Sequence, residues 1–302
     1  MSDVAKWKVR GPVETLRTEF AMWDPNREEW QPPQHSNLTT FHPGGHVSAC
    51  DTNNSDGSIA HSRWLYDETD RLIESNFRLN DGPIERTVYF YDEAGRHLRT
   101  MRKESEIETC TYDARGIKTK QCHLVFRADA YGIEGTDVSY GAPGAAKMII
   151  TYDEKDLPAI VNFEDLNGNR VRDVSFVRDS AGRLLSEETH FGADSLLDQV
   201  PAEGREELAA ELAKTFGEFF SRITYTYDSR GRRLERMTKF GTLSESRTTY
   251  QYADYDDPIA ETTEENASVQ QHRFEYVYDP QGNWTERIVP GSNIERRLIT
   301  YY

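Results

Sequence analysis

Apolar and polar residues alternate with a period of two along most of the chain, and the apolar half of the alternation is strongly aromatic. Tyr89 and Tyr91, Tyr225 and Tyr227, Tyr250 and Tyr252, then Phe274, Tyr276 and Tyr278 stand two apart, which puts each set on one face of a strand. The runs end in nearly the same polar hexamer: YDEAGR (91–96), YDARGI (112–117), YDSRGR (227–232) and YDPQGN (278–283). Asp at the first position of a four-residue turn accepts the backbone N–H two residues on. Gly at the fourth takes the left-handed conformation that lets a type I turn close a hairpin with a bulge. Each hexamer therefore predicts a hairpin tip. Pro25, Pro43 and Pro280 fall at the second position of such turns, where a preset φ is favoured. Asp70 in YDETDR and Asp156 in YDEKDL replace the Gly, and Asp is among the residues that tolerate its backbone.

Beyond the turns, Leu72, Leu184 and Trp284 begin outgoing strands, with Glu74 and Glu286 two residues on from Leu72 and Trp284. Cross-strand aromatic pairs are the expected core ladder, with the hydroxyls reaching an edge or water. Units begin at Tyr66, Tyr91, Tyr112, Tyr152, Tyr227, Tyr252 and Tyr278, and the longest gap holds two further turns, NFEDLNGN (162–169) and RDSAGR (178–183). The predicted class is mainly β: stacked antiparallel hairpin repeats in a twisted or curling ribbon. Its structural repeat residues are Tyr66, Asp67, Tyr91, Asp92, Gly95, Tyr112, Asp113, Gly116, Tyr152, Asp153, Asp179, Gly182, Tyr227, Asp228, Gly231, Tyr278, Asp279 and Gly282. Residues 1–59 read as an N-terminal β segment, a cap or first repeats, and 60–302 as the repeat domain. Two hairpins also make one propeller blade, so a β-propeller is the alternative, opposed by the uneven insertions.

Two insertions break the pattern. In 194–220, Leu208, Leu212, Phe216 and Phe220 fall four apart behind acidic residues, which predicts an amphipathic helix over about 201–220 that packs on the sheet. The second, 127–147, is Gly-rich and carries Tyr131 and Tyr140, the first candidates for ligand binding. A short ribbon has two exposed edges, and the insertions are expected to cover them.

YDEAGRHL, YDSRGRRL and RDSAGRLL, each followed by a polar strand, resemble the YD-repeat or RHS-repeat family over about 60–302. That resemblance implies a curling ribbon of hairpins which, given many repeats, closes into a shell around a toxin or serves in cell-surface adhesion. This chain has too few repeats to enclose a cargo domain, so the ribbon carries over and the toxin does not.

Composition narrows the function. A net charge of -16 repels nucleic acid and anionic lipid, and no apolar run reaches membrane-spanning length. A cytoplasmic chain is expected, the alternative being a secreted or surface protein without its signal peptide. Cys50, Cys110 and Cys122 form no CxxC pair and read as reduced structural thiols. His35, His42, His46 and Cys50 are zinc-ligand types, but His42 and His46 occupy the Asp and Arg slots of a turn, so neither metal nor cofactor is expected. Adjacent carboxylates such as Glu187 and Glu188 point to opposite faces of a strand, as do Cys122 and His123, and GxSxG is absent. The expectation is a non-enzymatic scaffold for a protein partner, a basic one, in a toxin-associated immunity or chaperone role. Carbohydrate binding is the alternative, and outward rows of Tyr or Trp would favour it.

Overall fold

The computed structural model describes residues 7–124, 131–132, 139–140, 145–191, 205–216 and 220–302. The strands are β1 (Val13–Asp24), β2 (Glu29–Trp30), β3 (His35–Phe41), β4 (Val47–Asn53), β5 (Ile59–Tyr66), β6 (Leu72–Leu79), β7 (Glu85–Tyr91) and β8 (His97–Arg102). Next come β9 (Ser105–Tyr112), β10 (Lys118–His123), β11 (Tyr131–Gly132), β12 (Ser139–Tyr140), β13 (Lys147–Tyr152), β14 (Pro158–Glu164), β15 (Arg170–Arg178) and β16 (Leu184–Phe191). Helix α1 (Arg205–Phe216) precedes β17 (Ser221–Tyr227), β18 (Arg233–Phe240), β19 (Ser244–Tyr252), β20 (Pro258–Glu265), β21 (Ser268–Arg273), β22 (Glu275–Tyr278), β23 (Trp284–Val289) and β24 (Asn293–Tyr301).

All but β11 and β12 belong to one antiparallel sheet of 22 strands. From β3 to β21 each strand of this sheet pairs with the next, as a chain of hairpins dictates, whereas β2 pairs only with β1. The expectation of two exposed edges is corrected: β1 pairs with β3 on one side and with β24 on the other, Leu16 opposite Ile299 and Thr18 opposite Arg297. Joining first strand to last pairs both terminal strands without any covering element, and the unpaired sides of the ladder fall instead on β21 and β22. The sheet is nearly closed and barrel-like. Its ladder changes at Phe274, where β21 pairs back to β20 and β22 forward to β23, while the Phe274 N–H still donates to Ile259 O at 2.9 Å. The propeller alternative is overturned, because these strands belong to one sheet and not to separate blades.

Strand direction sorts the loops. Alternate turns of an antiparallel sheet lie at the same end, so the Tyr-Asp turns gather on one rim. Both insertions, between β10 and β13 and between β16 and β17, leave from the other. The NFEDLNGN turn (Asp165 to Asn169, joining β14 to β15) also lies on that second rim, out of series with the Tyr-Asp turns although it bonds as they do. The expected helix is described over Arg205–Phe216, and the rest of 201–219 and the apolar side chains of Leu208, Leu212 and Phe216 lie outside the described residues. Its last turn is tied to the β18–β19 loop, where the Thr242 N–H and Oγ1 both donate to Thr215 O at 2.8 Å.

The main core lies on the tyrosine-bearing face of β10 and β13–β17. Ile150 stands opposite Val161, and Val161 opposite Val174; with Phe163, the last two are wholly excluded from solvent. A second cluster, Val9, Val13, Leu16, Phe41 and Val47, packs with Trp64, Ile299 and Tyr301 at the β1–β24 seam. The opposite face carries ion pairs across neighbouring strands: Arg63 with Asp51, Arg86 with Glu74, Arg247 with Glu235 and Arg296 with Glu286.

Candidate functional site

The turns themselves come first, because the site is a departure from them. In the turn 228–232 the Asp228 Oδ1 accepts the N–H groups of Arg230 and Arg232, both at 2.9 Å, and Oδ2 accepts Arg232 Nε at 2.7 Å. The Asp228 carbonyl takes the Gly231 N–H at 3.0 Å, with Gly231 at φ 83°. Asp70 and Asp156 adopt the left-handed conformation at φ 60° and 57°, as expected of the Gly place.

The Arg then reaches the next unit. Arg71 lies over the Tyr91 ring, Arg96 over Tyr112, Arg183 over Tyr227 and Arg232 over Tyr252, at 4.5–5.1 Å from the ring centres. Five of the repeat Tyr hydroxyls return to the backbone of the previous turn: Tyr66 to Val47 O, Tyr91 to Leu72 O, Tyr112 to His97 O, Tyr227 to Leu184 O and Tyr252 to Arg233 O, at 2.7–3.0 Å. Cross-strand ring pairs do occur, as Tyr276 with Trp284, but the expectation of hydroxyls at an edge or in water is corrected. Guanidinium groups cover the rings, worth about 0.5–1 kcal/mol each at exposed sites, and the hydroxyls clasp carbonyls two residues past each Gly place. In the 42–46 turn His46 does the covering, 5.1 Å from Tyr66. That accounts for His42 and His46 as repeat variants, and among the described residues no cluster of three or more His, Cys, Asp or Glu is arranged to hold a metal ion.

The clasps predict an alkaline limit. Burial pushes Tyr252 and Tyr301 up to about 12 from 10.0 and raises Tyr91 and Tyr112 as well. A folded value above the unfolded one means that this stabilisation is complete below pH 10 and is lost as pH rises through about 12. In a titration followed by tyrosinate absorbance and circular dichroism, most tyrosines should ionise together with unfolding. Independent ionisation near the free value, with the sheet intact, would contradict the clasp.

Two successive turns lack the Arg. Its slot holds Ile117 in 113–117 and Leu157 in 153–157. Between them lies a cleft of about 610 Å³ whose walls include His97, Tyr112, Ile117, Lys118, Asp153 and Glu154. Lys118 partly stands in, with Nζ 3.9 Å from the Tyr152 ring centre and 2.7 Å from Asp156.

Beneath the cleft runs a hydrogen-bonded chain that the sequence did not reveal. Thr100 Oγ1 donates to Glu108 at 2.9 Å, so His97 Nε2 donates to Thr100 at 3.0 Å, and Nδ1 accepts from the Cys110 thiol at 3.3 Å. Glu108 also pairs with Lys120 at 2.7 Å and accepts from Cys122 at 3.7 Å. Burial lowers His97 and raises Cys110, and it pushes Cys122 up to about 12. Thiol and imidazole both rest neutral, the opposite of an activated thiolate. Cys110 faces Lys120 across β9 and β10, and no spacing in the chain announces this. Cys122 and His123 diverge as expected, Cys122 buried and His123 exposed. Glu187 is buried against Tyr225, whereas its neighbour Glu188 meets Arg222 on the other face. Tyr131 and Tyr140 stand opposite one another in the β11–β12 pair, but their side chains lie outside the described residues.

These features define a class, an antiparallel hairpin-repeat sheet joined end to end, with a cleft between two turns that lack the Arg. No known protein family matches the chain, and no curated protein matches it either. Among solved structures it is similar to a chain of the TcdB2-TccC3-TEV crystal structure, with TM-score 0.38, 13% identity and coverage of 84% of this chain and 14% of that one. It is also similar to a porin-like protein from Bacteroides uniformis, with TM-score 0.37, 12% identity and coverage of 97% and 98%. A chain of the TcdB2-TccC3-Cdc42 structure gives TM-score 0.34 and 12% identity over 87% of this chain and 15% of that one.

Proposed function

We propose that the chain is a non-enzymatic scaffold of YD-repeat type that binds a basic protein partner, in a toxin-associated setting such as immunity or chaperoning. The observation that carries this reading is the division of labour between the two faces. The repeat tyrosines turn to the buried face, and five of them spend their hydroxyls on backbone carbonyls, so they offer no stacking row to a sugar. The side chains that flank them on the other face are aliphatic and exposed: Leu65, Leu98, Val177, Leu185, Leu234 and Val277. Apolar side chains set among charges suit a protein surface, and the charge of -16 favours a basic partner. The Arg–Glu pairs on the same face would be costly against hydrocarbon, so a lipid-facing wall fits poorly. Among the described residues no helix is long and apolar enough to cross a membrane.

Affinity capture from the native host, with wild type and a Leu185→Glu/Leu234→Glu double variant as baits, tests the reading. One basic protein held near stoichiometrically by the wild type and lost by the variant is the expected result. Capture by a glycan panel, with no protein retained, would overturn it.

A further inference from the structure

We infer that β21 takes up an extended segment of a basic polypeptide as an added antiparallel strand, with a lysine or arginine of that segment set over Val269. The inference rests on the partner-binding reading and adds to it a place and a mode. β21 is where the closed sheet leaves an edge. The Phe274 N–H donates to Ile259 O, and Ala260 to Glu265 pair with Arg273 to Ser268 without a register shift. Backbone groups of successive residues in an antiparallel ladder turn to alternate sides. Ser268, Gln270 and His272 therefore bond to β20 as Phe274 does, while Val269, Gln271 and Arg273 direct their N–H and C=O away from it. On that side the ladder with β23 stops. Glu275 stands opposite Ile288, which puts Arg273 level with Pro290, a residue with no N–H to give. The chain turns there into β24, the Ser292 N–H donating to Val289 O at 3.0 Å. Every residue of β21 is exposed, as in no other strand of the sheet among the described residues.

Edges that must stay free carry Lys, Pro, a bulge or a cover, and Ser268–Arg273 has neither Lys nor Pro nor a bulge. Its free side also has a definite width. β23 and β24 both end at the 290–292 turn, so the next strand beyond is β1, about 14 Å from β21 at three strand spacings. One extended segment fits that interval, whereas the continuing sheet of a second copy would meet β1. Charge selects the segment. A hollow of about 530 Å³ beside β21 is lined by Glu235, Glu245, Glu264, Glu265 and Val269 among others. Glu235 is taken by Arg247 and Glu245 by Lys239, but Glu264 and Glu265 hold no ion pair among the described residues. Glu264 stands directly opposite Val269, which is 65% exposed. A Lys or Arg on the added strand can therefore lay its stem on Val269 and reach Glu264 with its charged head. At the other end of β21 the exposed Arg273 selects against a second cation.

The test is fluorescence anisotropy with a labelled Thr-Glu-Val-Thr-Val-Lys-Thr peptide, whose Glu and Lys fall opposite Arg273 and Val269 in an antiparallel pairing. It is compared with the same peptide N-methylated at Glu, the central Thr and Lys, and with one in which Glu replaces the Lys. Proteins are the wild type and Gln271→Pro. The Gln271 N–H points away from β20, so proline there removes a docking donor and should leave Tm nearly unchanged. Gln270→Pro, which breaks the β20 ladder, should lower it. We expect the wild type to bind the peptide, and Gln271→Pro and N-methylation each to weaken binding at least about tenfold. Replacing the Lys by Glu should weaken it about fivefold. No binding by the wild type at about 1 mM peptide, or equal binding by Gln271→Pro, would overturn the inference. Equal binding of the Glu-bearing peptide would overturn the basic chemistry assigned to the segment. A wild-type dimer in sedimentation that Gln271→Pro dissociates would give the edge to a second copy and overturn it too. A captured partner kept by Gln271→Pro and lost by Leu185→Glu/Leu234→Glu would remove the edge while leaving the scaffold reading intact.

Discussion

Removing β24 by truncation after Val289 should abolish the cooperative fold, a larger effect than any single substitution. The last strand pairs with β23 on one side and along most of β1 on the other, from Val13 opposite Tyr301 to Met22 opposite Asn293. Its loss exposes two long unpaired edges at once and uncovers Leu16 and Val13, which are 0% and 1% exposed. Light scattering and thermal melts should show an aggregating chain without a sharp transition. A truncated protein that stays monomeric and melts as sharply as the full chain would mean that the end-to-end pairing contributes nothing.

Phe163→Ala should be the most damaging single change in the sheet, costing about 3–5 kcal/mol by urea denaturation. Its ring is wholly buried on β14, opposite Arg172 on β15 and Met148 on β13, in a cluster with Val161, Val174, Phe176 and Ile223. Phe163→Leu keeps much of the volume and should cost less than about 1.5 kcal/mol. Leu185→Ala, at 36% exposed on the other face, should stay within about 0.5 kcal/mol of wild type. Equal effects at positions 163 and 185 would place the core on the wrong face.

Local chemistry was legible and long-range contacts were not. YDEAGR states its turn because every group that makes it lies within six residues, and Asp70 and Asp156 could be assigned to the Gly place from backbone preference alone. The coverage of Tyr91 by Arg71 and the bond from Tyr91 to Leu72 O join neighbouring units, and a period read from sequence cannot say which neighbour supplies which group. Closure is harder still. RRLITYY looks like one more strand, and only its register against Val13–Met22 shows that it meets the first. The cleft could have been suspected from Ile117 and Leu157, which leave two successive units without Arg, once the Arg had been given a task. The Cys110–His97 contact had no signal, because thiol and imidazole come from facing strands thirteen residues apart.

The central claim is that the chain closes on itself. Thr15 and Thr300 stand directly opposite across the seam with their hydroxyl oxygens 2.6 Å apart. Spin labels at these two positions, in a background with Cys50, Cys110 and Cys122 replaced by alanine, give the distance by electron–electron resonance. A closed sheet predicts one narrow population limited by the label linkers, below about 20 Å given adjacent strands at roughly 5 Å. An open ribbon of twenty-odd strands would put the ends up to about 100 Å apart, and a broad distribution beyond about 40 Å would contradict the account.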